Sequence, residues 1–234
     1  MVNIDTIYQR VLATANKEQR GYITPQEFNL FANQAQMDIF EQYFYDMNQF
    51  ERTPENTTEY SNMVDLIDEK ISMFKEKQTP VLSLSGEEFV IPTDVYRLGI
   101  VTYNQKHVVE YMQEDEIMVI SKSRLSTPSK TKPVYTRYKN SNSVDVVKVY
   151  PSSINNLITF NCIKKPKDVY WGYAVIGGKA LYDASTSTNF DLHPSEEKKL
   201  VLKILTLAGV MLKDGNLYQV ASTEAQQAIQ QEKS

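Results

Sequence analysis

Residues 16–47 read NKEQRGYITPQEFNLFANQAQMDIFEQYFYDM, and this stretch determines how the first third of the chain folds. Over twelve positions from its first residue, Gly21 and Glu27 fill the glycine and final carboxylate positions of a calcium-binding loop. The fifth position is Arg20, a fixed cation where an oxygen ligand is required. The sequence therefore predicts no calcium site here.

The same stretch is better explained as the start of a helix. Residues 24–27 read TPQE, a capping box with Thr24 as the N-cap, Pro25 at the first helical position and Glu27 at the third. Apolar residues then recur at helical spacing: Phe28, Phe31, Ala32, Ala35, Ile39, Phe40, Tyr43 and Met47. We predict a long amphipathic helix.

The polar face of this helix carries amides rather than charges. They are Asn29, Asn33, Gln34 and Gln36. Amides suit a helix that packs beside other subunits, because they form hydrogen bonds there without the desolvation cost of a charge. We therefore predict that these four residues belong to an interface.

Three zones follow from the change in hydrophobic period. Residues 1–78 read as helices, the third of them over residues 57–77. Residues 79–173 read as a β-rich domain, and residues 174–234 as a helical part that completes the first zone and ends in a flexible tail. The expected strands are residues 89–91, 96–103, 107–111, 117–120, 134–138, 144–150 and 158–163. The last helix begins at Pro194, with His193 as its N-cap. The predicted class is α+β, with N-terminal and C-terminal helices framing an antiparallel β-rich domain.

Composition gives little support for catalysis. The 234 residues are 41% hydrophobic and 23% charged, and Cys162 is the sole cysteine, which fits synthesis in a reducing cytoplasm. No apolar run approaches the ~20 residues of a membrane span. The sequence lacks the usual zinc, thiol, serine-hydrolase and nucleotide motifs. We therefore predict a protein that is not an enzyme, with no catalytic residues, cofactor or metal and no membrane partner.

Positive charge is concentrated in one part of the sequence. Residues 120–171 contain ten basic residues against two acidic ones, in a chain with a net charge of −4, so the remainder carries −12. Tyrosines and Trp171 are interleaved, a pattern that could bind single-stranded nucleic acid. The same charges could dock an acidic protein surface or simply face solvent. Lys164, Lys165 and Lys167 are the candidate docking cations, since they stand at the end of a predicted strand.

Four segments of the chain resemble a known group of proteins. Three of them read ANKEQRGYITPQEFNLFANQAQ, FVIPTDVYRLGIVTYN and VVKVYPSSI, and the fourth runs from Lys179 through LHPSEEKKLVLKILTLAGV. These segments resemble virion structural proteins of tailed bacteriophages, especially crAss-like and related short-tailed phages of Bacteroidetes. The order of elements is similar to that of the adaptor or ring proteins that lie between portal and tail.

The resemblance implies a structural protein of the head–tail junction. It would form a homo-oligomeric ring, a dodecamer set by the portal, that contacts the portal protein and other tail or ring proteins. DNA would pass through the channel without specific binding, which favours protein docking for the basic zone because a channel must not grip its cargo. The alternative is a nucleic-acid-binding accessory module. The resemblance places the protein in the virion after synthesis in the host cytoplasm.

Overall fold

The computed structural model describes residues 1–17, 23–52, 58–83 and 88–211, together with residues 223 and 227. The chain forms two compact units. The helical unit comprises Met1–Met73 and Pro166–Ser234, and the sheet unit comprises Phe74–Lys165. Residues 18–22 of the calcium-like loop, including Arg20 and Gly21, lie outside the described residues. The predicted flexible tail also lies outside them, apart from residues 223 and 227.

The described elements confirm the α+β class. The α-helices are α1 (Ile4–Lys17), α2 (Pro25–Arg52), α3 (Thr58–Ser72), α4 (Glu114–Ile120) and α5 (Glu197–Met211). The strands are β1 (Lys75–Gln78), β2 (Val81–Leu82), β3 (Glu88–Val90), β4 (Val95–Tyr103), β5 (His107–Tyr111), β6 (Val134–Lys139), β7 (Asp145–Tyr150), β8 (Ile158–Lys164), β9 (Tyr173–Ile176) and β10 (Lys179–Tyr182). No helix in the described part of the chain combines the length and apolar character needed to cross a bilayer.

Helix α2 starts at the predicted capping box. The backbone N–H of Thr24 donates to Glu27 Oε2 at 2.9 Å, and the N–H of Glu27 donates to Thr24 Oγ1 at 3.3 Å. The backbone N–H and the hydroxyl of Thr24 hold the pKa of the Glu27 carboxyl below its ordinary value, because both donate to the charged form. The carboxylate that resembled a calcium ligand is thus used to close the helix N-terminus.

The core of the helical unit lies between α1, α2 and α5. Tyr8 of α1 packs edge-on against Phe28 of α2, with ring centroids 4.8 Å apart. Helix α5 buries an apolar stripe at helical spacing, formed by Leu200, Ile204, Leu205 and Ala208. Because these helices meet through continuous apolar faces, burial rather than intrinsic helix propensity stabilises them.

Helix α5 is entered through the predicted N-cap. Residues Pro194–Glu196 form a 3₁₀ turn, and His193 Nδ1 accepts from the N–H of Ser195 at 3.3 Å. Glu196, in this 3₁₀ turn, is buried at 2% exposure. Its Oε1 lies 2.6 Å from Lys70 Nζ at the end of α3, so an ion pair joins two helices of this unit.

The sheet unit contains a curled eight-stranded sheet in the order β1-β8-β4-β5-β6-β7-β3-β2. Its core includes Phe160, Val147 and Val149 at 0–2% exposure. The expectation of an antiparallel domain is wrong at one place, since β5 and β6 pair in parallel. The connection between them contains α4 and a long loop, and this length allows a parallel return that a hairpin could not make.

Two predicted elements differ in the structure. Residues 117–120 are apolar and were expected as a strand, but they end α4, whose start carries a capping box between Gln113 and Glu116. The third helix was expected to continue to residue 77 and instead ends at Ser72. Residues 75–78 form β1, because their backbone pairs with β8 at the edge of the sheet.

The compact units also differ from the predicted boundaries at residues 78 and 173. Strand β1 joins residues 75–78 to the sheet unit through its pairing with β8. Residues 166–173 belong to the helical unit, because side chains of α2 hold their backbone. Backbone pairing therefore sets the first limit and side-chain hydrogen bonds from α2 set the second, and hydrophobic periodicity along the sequence reports neither.

Candidate docking surfaces

Amides of α2 hold residues 167–171 much as a neighbouring strand would. Asn29 Oδ1 accepts from the N–H of Trp171 at 2.8 Å, and its Nδ2 donates to the Trp171 carbonyl at 3.3 Å. Asn33 repeats this arrangement on Val169, at 2.8 Å and 2.9 Å. The spacing fits because four helical residues rise about 6 Å and two strand residues about 6.6 Å.

Gln36 extends this arrangement to a third site. Its Nε2 donates to the Lys167 carbonyl at 2.7 Å, and its Oε1 accepts from the N–H of Asp191 at 3.1 Å. Gln36 is 1% exposed. We name Asn29, Asn33 and Gln36 the amide ladder.

The amide ladder corrects the predicted interface role of its three members. Their polar groups bond within the helical unit, so they do not form an exposed docking face. Gln34 alone of the four predicted amides is exposed, and its Nε2 donates to Asp38 at 2.9 Å.

The three candidate lysines are divided between the two units, and one of them is already paired with carboxylates. Lys164 Nζ lies 2.6 Å from Glu76 and 3.0 Å from Asp94, and these two carboxylates raise the pKa of the Lys164 ammonium. Lys165 has an exposed side chain in the same unit, whereas Lys167 belongs to the helical unit. Lys164 is therefore locally neutralised, and the docking prediction for Lys165 and Lys167 remains untested.

A second group of cations lies on residues 121–132, which we name the basic loop. Its exposed cations are Lys122, Arg124, Lys130 and Lys132. Leu125 in the same loop is fully exposed, and the preceding helix α4 exposes Met118 at 62% and Val119 at 71%. Exposed apolar side chains surrounded by charge are typical of a protein-binding surface.

Hydrogen bonds fix the path of the basic loop. The N–H of Lys122 donates to Val119 O at 3.2 Å, and the N–H of Ser123 donates to Ile120 O at 3.0 Å. Thr127 bonds to the carbonyl of Ser123 through both its N–H and its hydroxyl. Between Ser129 and Lys132, each backbone N–H donates to the other's carbonyl. The loop therefore presents Leu125 from a defined backbone conformation.

An acidic surface, opposite in charge to the basic loop, lies on the exposed side of α3. We name Asp65, Leu66, Glu69 and Met73 the acidic helix face. These positions recur at helical spacing opposite the buried Ile67 and Ile71, and all four side chains are exposed. Leu66 is 51% and Met73 44% exposed. The face thus combines two carboxylates with two large apolar side chains.

The β9–β10 hairpin exposes a smaller apolar surface. Gly177 and Gly178 form its turn with φ of 60° and 78°, the left-handed values that a two-residue hairpin turn requires. Ile176 and Leu181 are 64% and 50% exposed. The other side of the hairpin stacks on Trp171 through Tyr173 and Tyr182, with ring centroids 5.8 Å away in each case.

Two residues with ligating chemistry, His193 and Cys162, are used by the fold or buried in it. His193 caps a helix, and Cys162 is 3% exposed, with burial raising the pKa of its thiol. Among the described residues, no three His, Cys, Asp or Glu side chains are grouped to hold a metal ion.

No known protein family matches the sequence, and no curated protein is detectably similar to it. The exposed surfaces are therefore the features of the structure that bear on function.

Sequence reasoning missed the acidic helix face and the role of Leu125. Charge counting did indicate a basic zone, but it could not separate the basic loop from Lys164. Leu125 is surrounded by polar residues in the sequence, and a lone leucine in a polar loop was a weak available signal. Only the fold shows that this leucine has no packing contact to bury it.

Proposed function

We propose that this chain is a structural subunit of a homo-oligomeric ring at the head–tail junction of a short-tailed phage. The observation that carries the proposal is the separation of charge between its two units. By sequence, the helical unit contains 12 basic and 20 acidic residues, and the sheet unit contains 13 basic and 9 acidic ones. Each unit also exposes large apolar side chains. Because one unit is net acidic and the other net basic, the acidic unit of one copy can attract the basic unit of the next, which favours repeated association of identical copies.

Two further points support this proposal. The sequence segments quoted above resemble ring and adaptor proteins of such virions. Two polar contacts have structural roles: His193 caps a helix, and the buried Glu196 carboxylate pairs with Lys70. A ring protein works through its shape and contacts, and this use of polar groups suits that role.

The alternative of a single-stranded nucleic-acid module needs exposed aromatic rings beside the cations. Tyr135 is 9% exposed and Trp171 is 2% exposed. The Tyr138 hydroxyl donates to Glu88 at 2.6 Å, and burial together with this carboxylate raises the pKa of Tyr138. These rings offer poor stacking surfaces for bases, so we favour protein docking.

The ring proposal is tested with the purified full chain. Mass photometry at low concentration and negative-stain microscopy at high concentration should show single chains converting into closed rings. A gel-shift assay with single-stranded DNA should show no retardation that weakens with salt. Single chains at every concentration, together with salt-dependent retardation of DNA, would overturn the ring and support the nucleic-acid module.

A further inference from the structure

We propose that the basic loop of one copy docks on the acidic helix face of the next copy. This inference rests on the proposed ring function and specifies which two surfaces join. The loop belongs to the sheet unit and the face to the helical unit. Each copy therefore carries both halves of the contact at different places.

The basic loop and the acidic helix face are complementary in charge. The basic loop carries four cations and no acidic residue. The acidic helix face carries Asp65 and Glu69, and Asp68 is exposed beside them. Opposite potentials steer association and reject mismatched orientations. A second copy of the chain supplies the required acidic partner.

Both surfaces also expose apolar side chains. Leu125, Met118 and Val119 stand exposed at and beside the loop. Leu66 and Met73 stand exposed among the carboxylates of α3. Interfaces commonly place an apolar centre inside a charged rim, and the centre provides most of the affinity. Both surfaces have this composition.

The backbone of the basic loop is preorganised. The hydrogen bonds within residues 121–132 fix the backbone before any partner binds. Docking therefore orders fewer residues than a disordered loop would require, and less conformational entropy is lost. A fully exposed leucine held in this way is suited to insert between Leu66 and Met73 of a neighbour.

The acidic start of α4 sets the orientation. Glu114, Asp115 and Glu116 are exposed at the end of α4 farthest from the basic loop. Like charges repel, so docking must direct these residues away from Asp65 and Glu69. Because the two docking surfaces differ, the contact is heterologous, and repetition closes a ring when the rotation between copies fits.

Charge reversal tests the contact. We expect the variant Lys122→Glu/Arg124→Glu and the variant Asp65→Lys/Glu69→Lys each to raise the half-assembly concentration at least ~100-fold, because juxtaposed like charges are strongly unfavourable. An equimolar mixture of the two variants should recover rings, because each reversed surface then meets a surface of opposite charge. Mass photometry and negative-stain microscopy measure both effects.

Matched controls carry the same charge changes elsewhere on exposed positions. Lys106→Glu/Lys139→Glu controls the loop variant, and Glu41→Lys/Asp168→Lys controls the helix variant. All four should keep the circular dichroism spectrum of the unmodified protein, since exposed substitutions usually change stability by only about ±0.5 kcal/mol.

The outcomes separate this inference from the proposed function. If the unmodified protein forms rings and both reversed variants also assemble normally, the surfaces are wrongly assigned while the ring function stands. If reversed variants fail alone and also fail when mixed, the direct pairing of these two surfaces is refuted. If the unmodified protein forms no rings, the proposed function fails and this inference fails with it.

Discussion

Replacing Lys70 by methionine should lower the free energy of unfolding of the helical unit by about 3 kcal/mol, because it leaves the Glu196 carboxylate buried without its cation. Lys70 Nζ lies 2.6 Å from Glu196 Oε1, and no hydrogen-bond partner of Glu196 Oε2 lies among the described residues. The Lys70 side chain is 22% exposed, so we place the effect at the lower end of the usual range.

The double variant Lys70→Met/Glu196→Leu separates the charge effect from packing. It should recover most of the lost stability, because removing both charges also removes the desolvation cost. Lys198→Met, an exposed change in α5, is the matched control. Urea unfolding monitored by fluorescence of the single tryptophan, Trp171, reports on this unit. An effect of Lys70→Met below 1 kcal/mol would show that water or another group already compensates Glu196.

Asn33→Leu should destabilise the helical unit by about 2–4 kcal/mol, because it removes two hydrogen bonds from Val169, which stays buried. Val169 is 1% exposed, and Asn33 bonds to both its N–H and its carbonyl. Leucine has a similar shape but offers neither a donor nor an acceptor. The loss should appear in the same Trp171 unfolding measurement, since Trp171 lies two residues away.

Asn33→Asp distinguishes hydrogen bonding from packing. Aspartate keeps the acceptor for the Val169 N–H but places a carboxylate oxygen against the Val169 carbonyl, so it should also be clearly destabilising. The adjacent change Gln34→Leu, on the exposed side of α2, should stay within about 0.5 kcal/mol of the unmodified protein. If Asn33→Leu were equally harmless, the amide ladder would have no energetic role.

The sequence predicted elements whose signals are local. The capping box at Thr24 and Glu27 and the N-cap at His193 both depend on a few adjacent residues. The interactions that stabilise these elements lie within the segment that forms them. The same is true of a strand with regular apolar alternation, such as β8.

Features that depend on distant partners escaped the sequence. Asn33 could not be recognised as a strand-like partner until Val169 was placed beside it, 136 residues away. Strand β1 is the polar sequence KEKQ, and only pairing with β8 makes it a strand. Glu196 carries no local sign of burial, because the compensating Lys70 comes from α3. The candidate docking surfaces could not be recognised from the sequence either, because the exposure of their side chains depends on the tertiary fold.

Head-to-tail assembly of the chain is tested most directly by a cysteine cross-link. In the variant Leu66→Cys/Leu125→Cys, each copy carries one thiol on the acidic helix face and one on the basic loop. A short thiol-reactive cross-linker is added under ring-forming conditions, and the products are separated on a denaturing gel. Native Cys162 should interfere little, because it is buried. The two single-cysteine variants serve as controls.

Head-to-tail docking predicts a ladder of covalent oligomers extending well beyond the dimer, with mass spectrometry identifying peptides that join positions 66 and 125 of different copies. Each single-cysteine variant should give monomers, with at most a trace of dimer. A double variant that yields no more than the single variants, while the protein still forms rings, would contradict docking between these two surfaces.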